Sequence, residues 1–197
     1  METYFICLSG WSLFTKVSSI LIKRKHLTYV AMFHTSTCIY LLSNDRDELA
    51  ITNTLAYFTC DFMQILFTNY YNRQNTLIFS FHHIMSMVTL TTIKKDNIMY
   101  PLMLKVFRDI ELSNVALNIF YVVSKLTKCK EVLAVANGME ALGYGYYRVG
   151  LLKHGVQELW KNDSITNKLL FGTMYSFGVF FTGALICTTF NRVSNLF

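Results

Sequence analysis

Residues 77–93 read LIFSFHHIMSMVTLTTI. The run contains no Asp, Glu, Lys or Arg, and as a helix it is about one bilayer of hydrocarbon in length. Two adjacent histidines, His82 and His83, lie inside it. Imidazole in hydrocarbon costs free energy unless it faces a partner or a wet cavity, so a polar residue at this depth is a candidate for function. The flanking sequence is expected to supply the other walls of such a cavity.

Outward from this run the whole chain has the same character. It has 197 residues, of which 53% are hydrophobic and 15% charged, against about 25% charged in soluble domains. The mean hydropathy is +0.34. Seven apolar segments follow one another: 4–22, 27–43, 50–68, 77–93, 98–124, 131–152 and 168–190. Each is long enough to span as a helix, and none alternates as a strand would. The composition therefore predicts an all-α polytopic membrane protein with about seven transmembrane helices. The connections NDRDEL, NYYNRQN, KKDN and KLTKCK are short, so sequential helices are expected to be antiparallel neighbours; only 153–167 reads as a longer connection. Pro101 is the single proline, and no linker composition or internal repeat divides the chain. Residues 1–25 read as an uncleaved N-terminal anchor with a basic loop, ahead of one bundle domain over 26–197.

The net charge of +6 does not point to nucleic acid. The basic residues form no stripe and no nucleic-acid motif is present; they cluster between apolar segments, as flanking charges do in membrane proteins. Lys23, Arg24, Lys25, Arg73, Lys125, Lys128, Lys130 and Arg192 would share one side. Arg46, Lys94, Lys95, Lys153, Lys161 and Lys168 would share the other, offset by Asp45, Asp47 and Glu48. The larger cationic share sets the first side as cytosolic, with the N-terminus luminal or outside and the C-terminus cytosolic. Cys7, Cys38, Cys60, Cys129 and Cys187 show no CxxC or metal-ligand spacing. They read as reduced packing residues, and no metal is expected.

Several polar residues lie within these segments. His34, Asp61, His82 and His83 come from three segments yet fall about five to eight residues from the cytosolic face, roughly 8–12 Å at 1.5 Å per residue. His82 and His83 project about 100° apart on a helix. One could act as base or nucleophile while the other orients a neighbour, or both could be structural. Asp61 must be protonated or paired, and either activates a histidine or forms a buried pair. In KVFRDIELSN, Arg108 and Glu111 are three apart and can neutralise each other, which leaves Asp109 to project elsewhere as a catalytic carboxylate. His34 reads as part of a polar seam with Thr35, Ser36 and Thr37. Arg148, in GYGYYRVG, could bind a lipid headgroup or a helix carboxylate. Glu140 shares its segment at another depth. Gly138, Gly143 and Gly145 read as sites of close helix packing. The histidine boxes of membrane di-iron enzymes, an HExxH motif and a Schiff-base lysine within the last segment are all missing.

Taken in order, five short elements resemble the TLC-domain family, which includes the ceramide synthases and the TRAM translocon proteins. They are VAMFHTSTCIY; AYFTCDF, like an aromatic-x-x-x-Asp element; FHHIMS, like the paired-histidine motif; IELSN, like a Glu-x-Ser-Thr-Pro stretch; and YYRVG, an aromatic-Arg element. Together they cover residues 26–190. Asn114 stands where the family has threonine, the following proline is missing, and only Asp109 falls near the paired aspartates of the ceramide synthase signature. The resemblance implies a TLC-type bundle of six helices around a central cavity, in the endoplasmic reticulum or a related internal membrane. It implies a protein that binds or regulates lipids, with membrane lipids, a sphingoid base or ceramide as partners and a homo-oligomer as the protein assembly. The alternative it implies is a ceramide synthase-like N-acyltransferase, with acyl-CoA as co-substrate and no resident cofactor. The catalytic residues would then be His82, His83 and Asp109, supported by His34, Asp61, Arg108, Glu111 and Arg148.

Overall fold

A computed structural model describes residues 1–22, 26–68, 73–93, 98–162 and 164–196. Among them the secondary structure is entirely helical, so the chain is all-α. Lys23, Arg24, Lys25, Lys94 and Lys95, expected to flank the membrane, lie outside the described residues. The helices are α1 (Glu2–Ile22), α2 (His26–Ser43), α3 (Asp47–Phe67), α4 (Arg73–Thr92), α5 (Tyr100–Leu126), α6 (Lys130–Gly145), α7 (Leu152–Asn162) and α8 (Ile165–Ser194). A π-helical stretch, Tyr146–Leu151, joins α6 to α7.

Local chemistry explains several boundaries. The turn between α2 and α3 is closed by Arg46 N–H donating to the Leu41 carbonyl at 2.9 Å. Asp45 takes the left-handed conformation there, with φ 54°, which short polar side chains tolerate. Asp47 and Glu48 then open α3, where carboxylates oppose the positive end of the helix dipole. Pro101 occupies the first turn of α5, where its missing N–H costs nothing. Ser164 caps α8 by accepting from the Asn167 N–H at 3.3 Å.

The expected connection over 153–167 is mostly helix α7. Leu152, Gly155, Val156 and Leu159 are buried, while Lys153, His154, Gln157, Glu158 and Lys161 are exposed. That is one apolar stripe at helical spacing, and the many charges around it hide the pattern from a reading of apolar runs.

The chain divides into two compact units, Met1–Lys94 and Lys95–Phe197, a different cut from the expected one after residue 25. In the first unit α1 packs on α2 and α3, α2 on α3, and α3 on α4. Its core gathers Trp11, Val30, Ala56, Tyr57 and Cys60, and the Trp11 indole N–H donates to Asn53 Oδ1 at 3.0 Å. In the second unit α5 packs on α6 and α7, and α8 on α6 and α7. Gly155 lets α7 approach α5 closely, since a Cβ there would collide with Val106. Among the described residues two helices, Glu2–Leu21 within α1 and Ile165–Ser194, are long and apolar enough to cross a membrane.

Candidate functional site

The first unit assembles a cluster of histidines and aromatic rings from four helices. Asp61 lies one helical turn beyond Tyr57 and Phe58 on α3, so all three present toward neighbouring helices. From α4, His83 Nε2 lies 2.7 Å from Asp61 Oδ2. The other ring nitrogen, Nδ1, lies 2.7 Å from the Phe79 carbonyl oxygen, one turn earlier on the same helix.

These two distances fix the protons. A carbonyl can only accept, so Nδ1 carries a hydrogen and donates to Phe79. One further proton lies between Nε2 and Oδ2, borne either by the imidazolium of an ion pair or by a neutral carboxylic acid. In both descriptions the pair carries no net charge, which suits side chains that are 7% and 11% exposed. Both nitrogens of His83 are engaged, so this ring offers neither a lone pair to a substrate nor a nucleophile. Asp61 and His83 thus form a close pair between α3 and α4.

His82 has a different setting. It is half-buried, lies edge-on to His83 with centroids 5.5 Å apart, and is edge-on to Phe58 at 6.2 Å. Phe58 also meets His83 at 5.1 Å and His34 at 6.0 Å. His34, from α2, stacks on Tyr57 with centroids 3.9 Å apart and planes 10° apart, and meets Trp11 of α1 at 5.7 Å. His34, Asp61, His82 and His83, expected at one level from three helices, thus occupy one cluster joined through Phe58.

The polar residues expected further along the chain belong to the second unit. Arg108 is exposed, whereas Asp109 is 8% and Glu111 1% exposed. Glu111 Oε2 accepts from Asn114 Nδ2 at 3.4 Å. Arg148, 4% exposed, lies in the π-helical stretch. Its Nε donates to Ser113 Oγ at 2.7 Å, and its Nη2 lies 3.5 Å from Asn114 Oδ1. The guanidinium is 5.3 Å from the Tyr144 ring centroid. Glu140 is held by Asn137, whose Nδ2 donates to Oε2 at 2.6 Å.

Tyr57 and Phe58 fall in the aromatic-x-x-x-Asp element, but neither they nor Trp11 were expected as ring partners of the histidines. The spacing of Tyr57 and Phe58 from Asp61, four and three residues, puts them on its face of the helix. Ser113 and Asn114 were legible as part of the IELSN element, but their bonds to Arg148 join residues 34 and 35 positions apart and leave no local mark. Among the described residues no group of three or more His, Cys, Asp or Glu side chains could hold a metal ion. Comparison of the chain with family models, with curated proteins and with solved structures returns no match.

Proposed function

We propose that the chain is a multi-pass membrane protein of TLC type that binds and regulates a lipid at the histidine cluster of its first unit, without catalysing acyl transfer. The membrane part of this reading is supported by where polarity lies. Large apolar side chains such as Phe5, Leu13, Phe67, Met139 and Phe180 face outward, whereas His83, Glu111, Asn137 and Arg148 are buried. A chain folded for water has the opposite preference, and in hydrocarbon the arrangement removes polar groups from lipid. The bundle of about six helices around a central cavity, and the location in the endoplasmic reticulum or a related membrane, belong to this proposal.

The engagement of both His83 nitrogens carries the choice of binding over catalysis. A His–Asp pair arranged for base catalysis keeps one ring nitrogen for the substrate. Here that nitrogen is spent on Phe79 or Asp61. Beside the cluster stands the half-buried His82, the imidazole that in this reading meets the hydroxyl or amide of a sphingoid base or ceramide.

Native mass spectrometry of the purified chain tests the proposal. The wild type is expected to carry a lipid non-covalently, and His82→Ala to lower its occupancy roughly tenfold, the equivalent of one hydrogen bond of about 1.4 kcal/mol. An acyl adduct on a histidine, or transfer of label from acyl-CoA into ceramide in ceramide-deficient membranes, would overturn the reading in favour of an N-acyltransferase.

A further inference from the structure

The second unit buries a cation that its neighbours do not neutralise. Arg148 is 4% exposed, and arginine stays charged in any protein environment. Among the described residues it has no carboxylate within ion-pair distance. Its partners are neutral: the Ser113 hydroxyl, the Asn114 carboxamide oxygen and the face of Tyr144. The Ser113 hydroxyl hydrogen is already committed, donating to the Ile110 carbonyl at 2.6 Å, so Ser113 meets the guanidinium purely as an acceptor. Asn114 points its oxygen at Arg148 and its nitrogen at Glu111, and so stands as a neutral spacer between the two side chains.

These contacts hold the guanidinium by Nε and by one edge of Nη2. Nη1 and the rest of the fork have no acceptor among the described residues. That free edge has the geometry that receives two oxygens of a phosphate or carboxylate in parallel hydrogen bonds. The backbone is also built around this residue. Arg148 lies on the π-helical stretch, a rare form concentrated at functional positions. Opposite it, α8 carries Gly178, where a Cβ would sit 3.0 Å from Arg148 Cβ and 3.1 Å from its carbonyl oxygen. A widened turn and a glycine together make room for a buried arginine that no internal anion requires.

We propose that Arg148 is an oxyanion site, with Ser113 and Asn114 as positioning residues, that takes the phosphate or carboxylate of a lipid headgroup. Its residues belong to the second unit, and it does not rest on the lipid reading made for the histidine cluster. The same chemistry could be met by a free anion, and the test distinguishes the two sources.

The full-length chain, purified and reconstituted in phosphatidylcholine nanodiscs, would be titrated with phosphatidic acid, with oleate and with inorganic phosphate, and its thermal unfolding followed by circular dichroism. Phosphatidic acid or oleate is expected to raise the unfolding temperature and to be retained in native mass spectrometry, while inorganic phosphate at millimolar concentration does neither. Stabilisation by inorganic phosphate alone would overturn the lipid source. Arg148→Met should reduce lipid retention at least tenfold, and Arg148→Lys should give an intermediate value, since it keeps the charge and loses the fork. Gly183→Ala, where no atom lies within 4 Å of the added Cβ, should leave the anion response unchanged, and ceramide retention should be unaffected by Arg148→Met, so failure of the histidine reading is distinguishable from failure here. Two results would overturn the site: a folded Arg148→Met chain retaining as much anion as wild type, or a wild type indifferent to all three probes. The second holds even if the Arg148 variants do not fold.

Discussion

At the scale of single residues, the buried polar groups of the first unit are organised by one pairing. His83 and Asp61 form a unit with no net charge, so neither is tolerated well without the other. Removing Asp61 leaves Nε2 of a buried imidazole without its partner. Removing His83 leaves a buried carboxyl group facing an apolar cluster. Each loss should cost about 1–3 kcal/mol, the penalty of an unsatisfied buried polar group. Removing both partners should cost less than the sum, because nothing is then left unpaired. Thermal unfolding of Asp61→Ala, His83→Ala and the double variant in detergent micelles measures this, with an expected coupling of about 1–3 kcal/mol. Additive losses would mean that the 2.7 Å contact contributes no stability of its own. Both residues were legible in the sequence, with a shared depth as the expectation. The sequence could not show which of two adjacent histidines turns toward Asp61, because a 100° difference on the helix has meaning only once the position of α3 is known.

At the scale of elements, legibility followed length and uniformity. The long apolar segments each hold a helix, displaced by a few residues at the ends. Helix α7 escaped because it is short and carries its apolar residues as a stripe only, at Leu152, Gly155, Val156 and Leu159. The π-helical stretch had no sequence mark at all, since a widened turn is set by what packs against it. Glycines were read as packing positions at Gly138, Gly143 and Gly145, yet the tightest approach is at Gly155, outside the apolar segments. Gly155→Ala should therefore separate α7 from α5 and destabilise the second unit by about 1–3 kcal/mol, the usual cost of overpacking. Adding Val106→Ala should restore much of that loss, because the colliding methyl group is removed. Gly183→Ala is the control: no atom lies within 4 Å of its Cβ position, and alanine has the better helix propensity by about 1 kcal/mol. Comparing the melting temperatures of these chains separates a packing role for Gly155 from a general intolerance of alanine.

At the scale of the whole molecule, the cysteine on α8 reports which solvent surrounds that helix. Cys129, in the connection before α6, and Cys187, on α8, are both exposed, whereas Cys38 and Cys60 are buried. In water both exposed thiols would be open to reagent, with Cys129 tempered by its bond to Glu131 Oε2 at 2.9 Å. In a bilayer they differ, because maleimide reacts with the thiolate, and a thiolate does not form in hydrocarbon, where its charge would be unsolvated. Cys187 lies seven residues from the end of α8, roughly 10 Å at 1.5 Å per residue, which is inside the hydrocarbon if α8 spans. Cys129 lies among Lys125, Lys128 and Lys130, the basic group expected on the cytosolic side. In sealed microsomes a membrane-impermeant maleimide should therefore label Cys129 from the cytosolic face and leave Cys187 at least tenfold slower, and detergent with denaturant should bring both to similar rates. Equal labelling of the two in intact membranes would remove α8 from the bilayer. Protection of Cys129 until the vesicles are opened would instead invert the orientation while leaving the helices in place.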